Sequence, residues 1–228
     1  MLSLSISFKS IAQVSPETVK DIDDNVYPTI TIGKQVWMVV NLKTTKYNDG
    51  TAIPLVTDDE SWKALNTPAY CWFDNDIEYK DLYGALYNWF TINTNKLCPT
   101  GWHVPTDTEW TTLTTYLGGF SIAGGKLKET DTIHWQSPNM GATNESGFTA
   151  LSSGWRDVNG MFSYRGFKVL LSDNSGKFSY KGTNSYWWSA SEDSVNSASY
   201  HSLIYNSGSI YRGKGGKKDG FSIRCLKD

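Results

Sequence analysis

Three histidines, three cysteines and one acidic loop hold most of the reactive chemistry in this chain. His103, His134 and His201 are scattered, and no two stand at i, i+4, the spacing that sets two imidazoles on one helix face for a metal. His103 lies between Trp102 and Val104, which suits a half-buried, hydrogen-bonded ring better than a general base. Cys71, Cys98 and Cys225 include no C-x-x-C pair, so neither a zinc knuckle nor a thioredoxin-type couple is expected. An odd count allows at most one intrachain disulfide beside a free thiol, and counting cannot separate the three pairings. Asp74, Asp76 and Glu78 supply some of the six or more oxygens that a structural Ca²⁺ ion needs, although such a run is ordinarily a solvated loop. Gly213-Lys214-Gly215-Gly216-Lys217-Lys218 is glycine-rich and basic but lacks the closing Lys-Ser/Thr and the strand-to-helix setting of a phosphate loop. It reads as a mobile basic loop able to meet an anionic glycan. No nucleophile elbow or dinucleotide fingerprint occurs, and no residue is assigned a catalytic role.

These residues need elements to position them. The best local signal is Leu97 to Gly119, where Thr106-Asp107-Thr108-Glu109 has the spacing of a capping box. Trp110, Leu113 and Leu117 then form one helical face, which Gly118-Gly119 stops. Val26–Ile32 and Gln35–Leu42, joined at Gly33-Lys34, read as a β-hairpin. A short helix is expected around Trp62 between Asp58 and Leu65, and a buried strand from Pro68 to Phe73. Leu82, Ala85, Leu86, Trp89 and Phe90 carry the clearest helical stripe. After a further short helix or turn over Ile122–Glu129 the pattern becomes one of strands. These are Ser146–Leu151, continued by Gly154–Arg156 and answered across Asn159-Gly160 by Met161–Tyr164, then Tyr186–Ser191, Ala198–Tyr205, Ser209–Arg212 and Phe221–Leu226. Two or three early helices and late short strands make an α+β domain with antiparallel sheets.

The totals narrow the function classes. A formal charge of -2 over 228 residues argues against a nucleic-acid binder held by bulk electrostatics. No apolar run reaches the roughly 18–20 residues of a membrane span. Ten Trp and thirteen Tyr are expected mainly in the core, since large rings bury much area each. Residues 1–25 read as an export-signal remnant or disordered tail, with Ser10-Ile11-Ala12 resembling the end of a cleavage site but no basic region before it. The domain is expected over 26–228.

Several segments together carry a resemblance. They are Ile32-Gly33-x-Gln35-x-Trp37-Met38-x-x-Asn41-Leu42, Lys46-Tyr47-Asn48-Asp49-Gly50, Tyr83-Gly84-x-Leu86-Tyr87-Asn88-Trp89 and Cys98-Pro99-x-Gly101-Trp102-His103-Val104-Pro105 with Glu109-Trp110. Gly124-Gly125-x-Leu127-Lys128, Asn144-x-Ser146-Gly147-Phe148, Tyr186-Trp187-Trp188-Ser189 and Gly220-Phe221-Ser222-x-Arg224-Cys225 follow in order. With these the chain resembles the Fibrobacter succinogenes major paralogous domain family over some 200 residues. One departure is Val39-Val40, where that family more often has a small residue and an acid. The resemblance implies extracytoplasmic proteins of Bacteroidetes-like bacteria, secreted or at the cell surface, with no established activity. It also implies a C-type-lectin-like, sulfatase-modifying-factor-like fold, compact and twisted, whose terminal strands meet. In the lectin-like branch a cysteine beside a helix bridges to one in the last strand, and Cys98 and Cys225 occupy those places.

The same fold family includes the formylglycine-generating oxidase, which needs a late thiol pair to hold copper; here the late chain offers Cys225 alone. A calcium-dependent lectin site would need carboxylates and amides around a proline. The nearest strings, Gln136-Ser137-Pro138-Asn139 and Trp72-Phe73-Asp74-Asn75-Asp76, lack its spacing and order. The expected function is therefore an exported, non-enzymatic surface or secreted interaction module that binds protein or glycan through loops of its second half. The alternatives are an oxidase-like enzyme of the formylglycine-generating fold and a structural surface or fimbrial component. Trp155, Arg156, Tyr164, Tyr186, Tyr211 and Arg212 are the candidate ligand contacts, being aromatic or basic and near the ends or hairpins of the late strands.

Overall fold

The computed structural model describes residues 17–157, 161–164, 167–170 and 178–228, with 161–164, 167–170 and 178–180 described by backbone alone. The hairpin forms as its pattern requires: β2 (Val26–Ile32) and β3 (Gln35–Met38) pair antiparallel and turn at Gly33-Lys34. The sheet starts earlier than Val26, because β1 (Thr18–Lys20) pairs with β2 from Thr18 opposite Pro28 to Lys20 opposite Val26. The Asp21 carboxylate closes that turn, accepting from the amides of Asp23 and Asn25 and, at 2.5 Å, from the Tyr27 hydroxyl. One short side chain satisfies donors that the turn would otherwise leave unpaired. Thr18–Lys20, expected within the tail, are thus part of the sheet. Residues 1–16, with the cleavage-like segment, lie outside the described residues.

Next come α1 (Asp59–Ala64), capped by the Asp58 side chain, and β4 (Tyr70–Cys71). The expected single helix from Leu82 to Phe90 is instead three pieces: α2 (Lys80–Tyr83), β5 (Leu86–Tyr87) and α3 (Trp89–Ile92). Gly84 breaks the run at φ 73°, in the left-handed region, and a Cβ there would lie 2.7 Å from the Leu42 carbonyl oxygen. The Ala85 amide then bonds Leu42 O, the Tyr87 amide bonds Phe221 O, and the Asn88 side chain caps α3 on the Thr91 amide. Ala85, Leu86 and Trp89 are buried along a partly extended segment, whereas Leu82 is exposed.

β6 (Trp102–His103) leads into α4 (Asp107–Tyr116), where Thr106 and Glu109 make both bonds of the capping box. α5 (Phe120–Leu127) follows. The late strands are β7 (Ser153–Arg156), β8 (Met161–Tyr164), β9 (Phe167–Leu170), β10 (Phe178–Lys181), β11 (Asn184–Glu192), β12 (Ser197–Ile204), β13 (Ile210–Gly216) and β14 (Leu226–Lys227). Residues 146–151 form turns rather than the expected strand, with Asn144 and Thr149 at positive φ and Ala150 bridging Lys128. β8 pairs with β9, whereas β7 pairs with β10, so the expected β7–β8 hairpin does not form. Its Asn159-Gly160 turn lies outside the described residues.

Two five-stranded sheets result, ordered β1-β2-β3-β14-β6 and β10-β7-β11-β12-β13, beside the small pairs β4-β5 and β8-β9. Among the described residues every pairing between named strands is antiparallel except β7 with β11 at Gly154 and Ser185. Leu226 on β14 faces Trp37 on β3 and His103 on β6, so the last strand is inserted between early ones. The basic glycine stretch is no free loop: Gly213 to Gly216 form the end of β13. Gly213 and Gly215 let the strand pass under rings, for a Cβ on Gly215 would meet Phe221 and Trp188 at 3.0 Å. The fold is thus mixed α+β, with few helices and curled antiparallel sheets. No helix among the described residues is long and apolar enough to cross a membrane.

Candidate functional site

Of the six expected contact residues, three are core. Trp155, Arg156 and Tyr186 are each at most 2% exposed. β7 is interior to its sheet, and the Trp155 and Tyr186 rings pack on Phe221 at 5.4 and 5.3 Å. Arg156 is a strut: its guanidinium donates to Val56 O, Thr57 O and Asp59, and lies 4.4 Å from the Trp62 ring. Arginine's planar fork suits a site where one cation must meet several acceptors and a ring together. The side chain of Tyr164 lies outside the described residues. Tyr211 is half-buried, its hydroxyl donating to Ser207 Oγ, and Arg212 is exposed.

Arg212 leads to the place where polar groups do converge, the N-terminal end of α4. Its Nε lies 2.6 Å from Asp107 Oδ1, which also meets His201 Nε2 at 3.2 Å. His201 is fully buried and stacks on Trp110, with ring centroids 4.9 Å apart and 17° between planes. Burial holds this imidazole below its ordinary value against the pull of Asp107. The ring is therefore neutral at pH 7 and donates from Nε2. The Asp107 amide donates to Ser191 Oγ on β11, and Lys214 on β13 pairs with Asp193 at 2.5 Å.

On the other side of the same helix end, Thr106 and His103 edge a pocket of about 150 Å³. Its walls include Ile92, Leu97, Trp102, Val104 and Ala190. His103 is clamped between two carboxylates, Nδ1 at 2.6 Å from Asp228 and Nε2 at 3.0 Å from Glu109. The other Glu109 oxygen accepts from the Thr106 amide and hydroxyl. His103 is half-buried and hydrogen-bonded, as its neighbours in sequence led one to expect, and the clamped ring also borders the pocket.

This clamp has a pH signature. Burial pulls His103 down, but the bonds to Asp228 and Glu109 outweigh it and leave the imidazole above its ordinary 6.5. Burial raises Glu109, but Thr106 and His103 outweigh that and hold it below 4.5. A raised imidazole contributes stability fully present below 6.5 and lost as pH rises through its folded value; a depressed carboxyl contributes stability present above 4.5 and lost on acidification. The stability difference between the parent chain and His103→Gln should therefore be largest near about pH 5.5 and shrink toward about pH 8. Denaturant titrations at both pH values measure it, and equal differences would remove the ion pair from the account.

Asp74, Asp76 and Glu78 do not form a common oxygen cage: Asp76 Oδ1 caps a 3₁₀ turn by accepting from the Glu78 amide. The acid–imidazole group that does converge is Glu129, Asp131 and His134, whose ligating atoms lie within 4.8 Å of one another. The spacing E-x-D-x-x-H within one turn was its only signal in the sequence. Ser137-Pro138 is cis, and the Asn139 side chain donates to the Glu129 and Asp131 carbonyls. The thiols are sealed. Cys98 and Cys225 are bridged, and burial pushes the Cys71 thiol up to about 12.

A family model described as the Fibrobacter succinogenes major domain matches residues 30–227. The chain belongs to this family. No curated protein and no solved structure matches it. The segments that carry the family resemblance build the frame of this Fibrobacter succinogenes major domain. Gly124 and Gly125 lie against the backbones of Ser209 and Gly141, and Lys128 Nζ donates to the carbonyls of Met140, Ile204 and Ser207. Arg212, Lys214 and Asp193 lie outside those segments, on the side of the α4 N-terminal end opposite the pocket.

Proposed function

We propose that the chain is an exported, non-enzymatic interaction module on a C-type-lectin-like frame, which holds a protein or glycan ligand at the face around the N-terminal end of α4. The observation that carries this reading is the pocket of about 150 Å³, apolar in its walls and edged by Thr106 and the clamped His103. Across the same helix end stands the exposed Arg212, paired with Asp107. A pocket below the usual few hundred Å³ suits one sugar ring or one side chain, with the charged rim reading the rest of a larger ligand. The bridged Cys98 and Cys225 support an oxidising compartment. The oxidase-like alternative finds less support, since copper-thiolate chemistry needs accessible thiols and Cys71 is buried with its proton held.

A glycan array combined with pull-down tests the proposal. Arg212→Ala removes the rim cation, and Ala190→Leu fills the pocket without opening a cavity. Each should weaken an array or protein hit by about tenfold or more while leaving the melting temperature near that of the parent. Binding untouched by both would move the ligand to another face. Assembly partners with no array hit would favour a structural surface or fimbrial component, and copper-dependent turnover of a cysteine peptide would favour the enzyme.

A further inference from the structure

Away from α4, three aromatic rings close on one point. Phe73 and Tyr79 meet at 5.7 Å and 85°, Tyr79 and Tyr83 at 5.7 Å and 37°, and Phe73 and Tyr83 at 6.5 Å and 61°. The backbone sets this arrangement: the Asp76 cap fixes the turn that carries Tyr79, and Gly84 ends α2 directly after Tyr83. Phe73 and Tyr83 are each 4% exposed, while Tyr79 is only partly covered. The point that the rings share is filled by a cation. Lys181 Nζ lies 4.0 Å from the Tyr79 ring centroid, 5.7 Å from Tyr83 and 5.8 Å from Phe73, and it donates to the Tyr79 hydroxyl at 2.7 Å.

Lys181 stands at the end of β10, beside the turn through Gly182 into β11, and its residue surface is exposed. Among the described residues no carboxylate lies within ion-pairing distance of its ammonium. Asp74 acts on it only through longer-range attraction. The charge is therefore met by π faces and a phenol oxygen, the environment that selects an alkylammonium ion over a neutral group of the same shape. A flexible lysine on a surface turn can leave such a cage without disturbing the core, because its four-carbon stem rotates freely in water.

We propose that Phe73, Tyr79 and Tyr83 form a binding site for an alkylammonium group, and that Lys181 is its internal occupant, displaced when ligand enters. The shared chemistry is a cation on an alkyl stem, supplied by a lysine side chain of a protein partner or by the quaternary ammonium of a small molecule or lipid headgroup. The internal lysine acts as a competitor and sets a threshold for binding. This site is separate from the α4 face, so either can fail without the other.

The test titrates the parent chain, Lys181→Ala, Lys181→Gln and Lys181→Ala with Tyr79→Ala, following tyrosine ring signals by NMR. The probes are choline, Nα-acetyl-lysine methylamide and the neutral choline isostere 3,3-dimethylbutan-1-ol. Removing Lys181 should tighten binding of at least one cationic probe by about tenfold or more, and adding Tyr79→Ala should abolish it. Preference for choline would assign the site to quaternary ammonium ligands, and preference for the lysine amide to a protein partner; either supports the proposal. The isostere binding as well as the cations would overturn it. So would unchanged affinity in both Lys181→Ala and Lys181→Gln, two variants that test the cage with and without a retained stem.

Discussion

Arg224→Met is expected to destabilise the domain by about 2–4 kcal/mol, because it strands the buried Phe148 carbonyl and takes a donor from the part-buried Thr149 carbonyl. Arg224 is 1% exposed; its Nε donates to Asn41 Oδ1 at 3.1 Å, Nη1 to Phe148 O and Nη2 to Thr149 O at 3.1 Å. The guanidinium also lies 4.0 Å from the Phe148 ring and 5.9 Å from Trp187. Asn41 keeps one donor after the substitution, since Trp187 Nε1 bonds the same oxygen at 2.9 Å. The Phe148 and Thr149 carbonyls lose the guanidinium, at about 1–3 kcal/mol for each acceptor left buried and unpaired. Relief of a desolvated cation offsets part of this, which sets the total below the simple sum. Urea denaturation of the parent and the variant gives the difference. A loss under about 1 kcal/mol would mean that the 148–149 turn finds other donors.

Breaking the Cys98–Cys225 bridge is expected to cost about 2–5 kcal/mol. The two cysteines are separated by 127 residues in sequence, and for a loop of that length the chain-entropy account gives about 5 kcal/mol, the upper end of what such bridges contribute. The bridge holds the segment before β6 to the chain entering β14, and those strands already pair through His103 and Leu226. The folded topology should therefore survive in Cys98→Ser with Cys225→Ser, with a lower denaturation midpoint. Cys71 supplies an internal check. Buried, with its thiol pushed up to about 12, it should resist alkylation in the native chain and react once the chain unfolds. Non-reducing peptide mapping that joined Cys71 to either other cysteine would refute the pairing.

Much of the frame was legible in the amino-acid order. The capping box at Thr106 and Glu109 formed as spaced, and the hairpin turned at Gly33. Such signals lie within a few residues, and their energies are local, so neighbours in sequence suffice to read them. The stripe from Leu82 to Phe90 misled for the opposite reason. Its apolar spacing fits a helix, but Gly84 and the distant carbonyls of Leu42 and Phe221 draw the segment into an extended turn between two short helices. β-Strands take their partners from far away in sequence, and the same period does not report which partner is available.

The candidate site was legible only in part. Arg212 reached the surface and Tyr211 stayed half-covered, whereas Trp155, Arg156 and Tyr186 became core. An aromatic or basic residue in a short strand can stack on a ligand or pack beneath one, and only the sheet order, with β7 between β10 and β11, decides which. The cage around Lys181 was equally hidden, since its rings come from 73–83 and its cation from the end of β10. By itself the sequence determined the family, the α+β composition, the helix start at α4 and the absence of a late thiol pair, because residue identity and near-neighbour spacing are enough for each. Tertiary structure alone decided that β14 inserts between β3 and β6, that the His103 clamp borders a pocket, and which rings face water. Those outcomes depend on contacts between segments a hundred residues apart, whose burial no local pattern records.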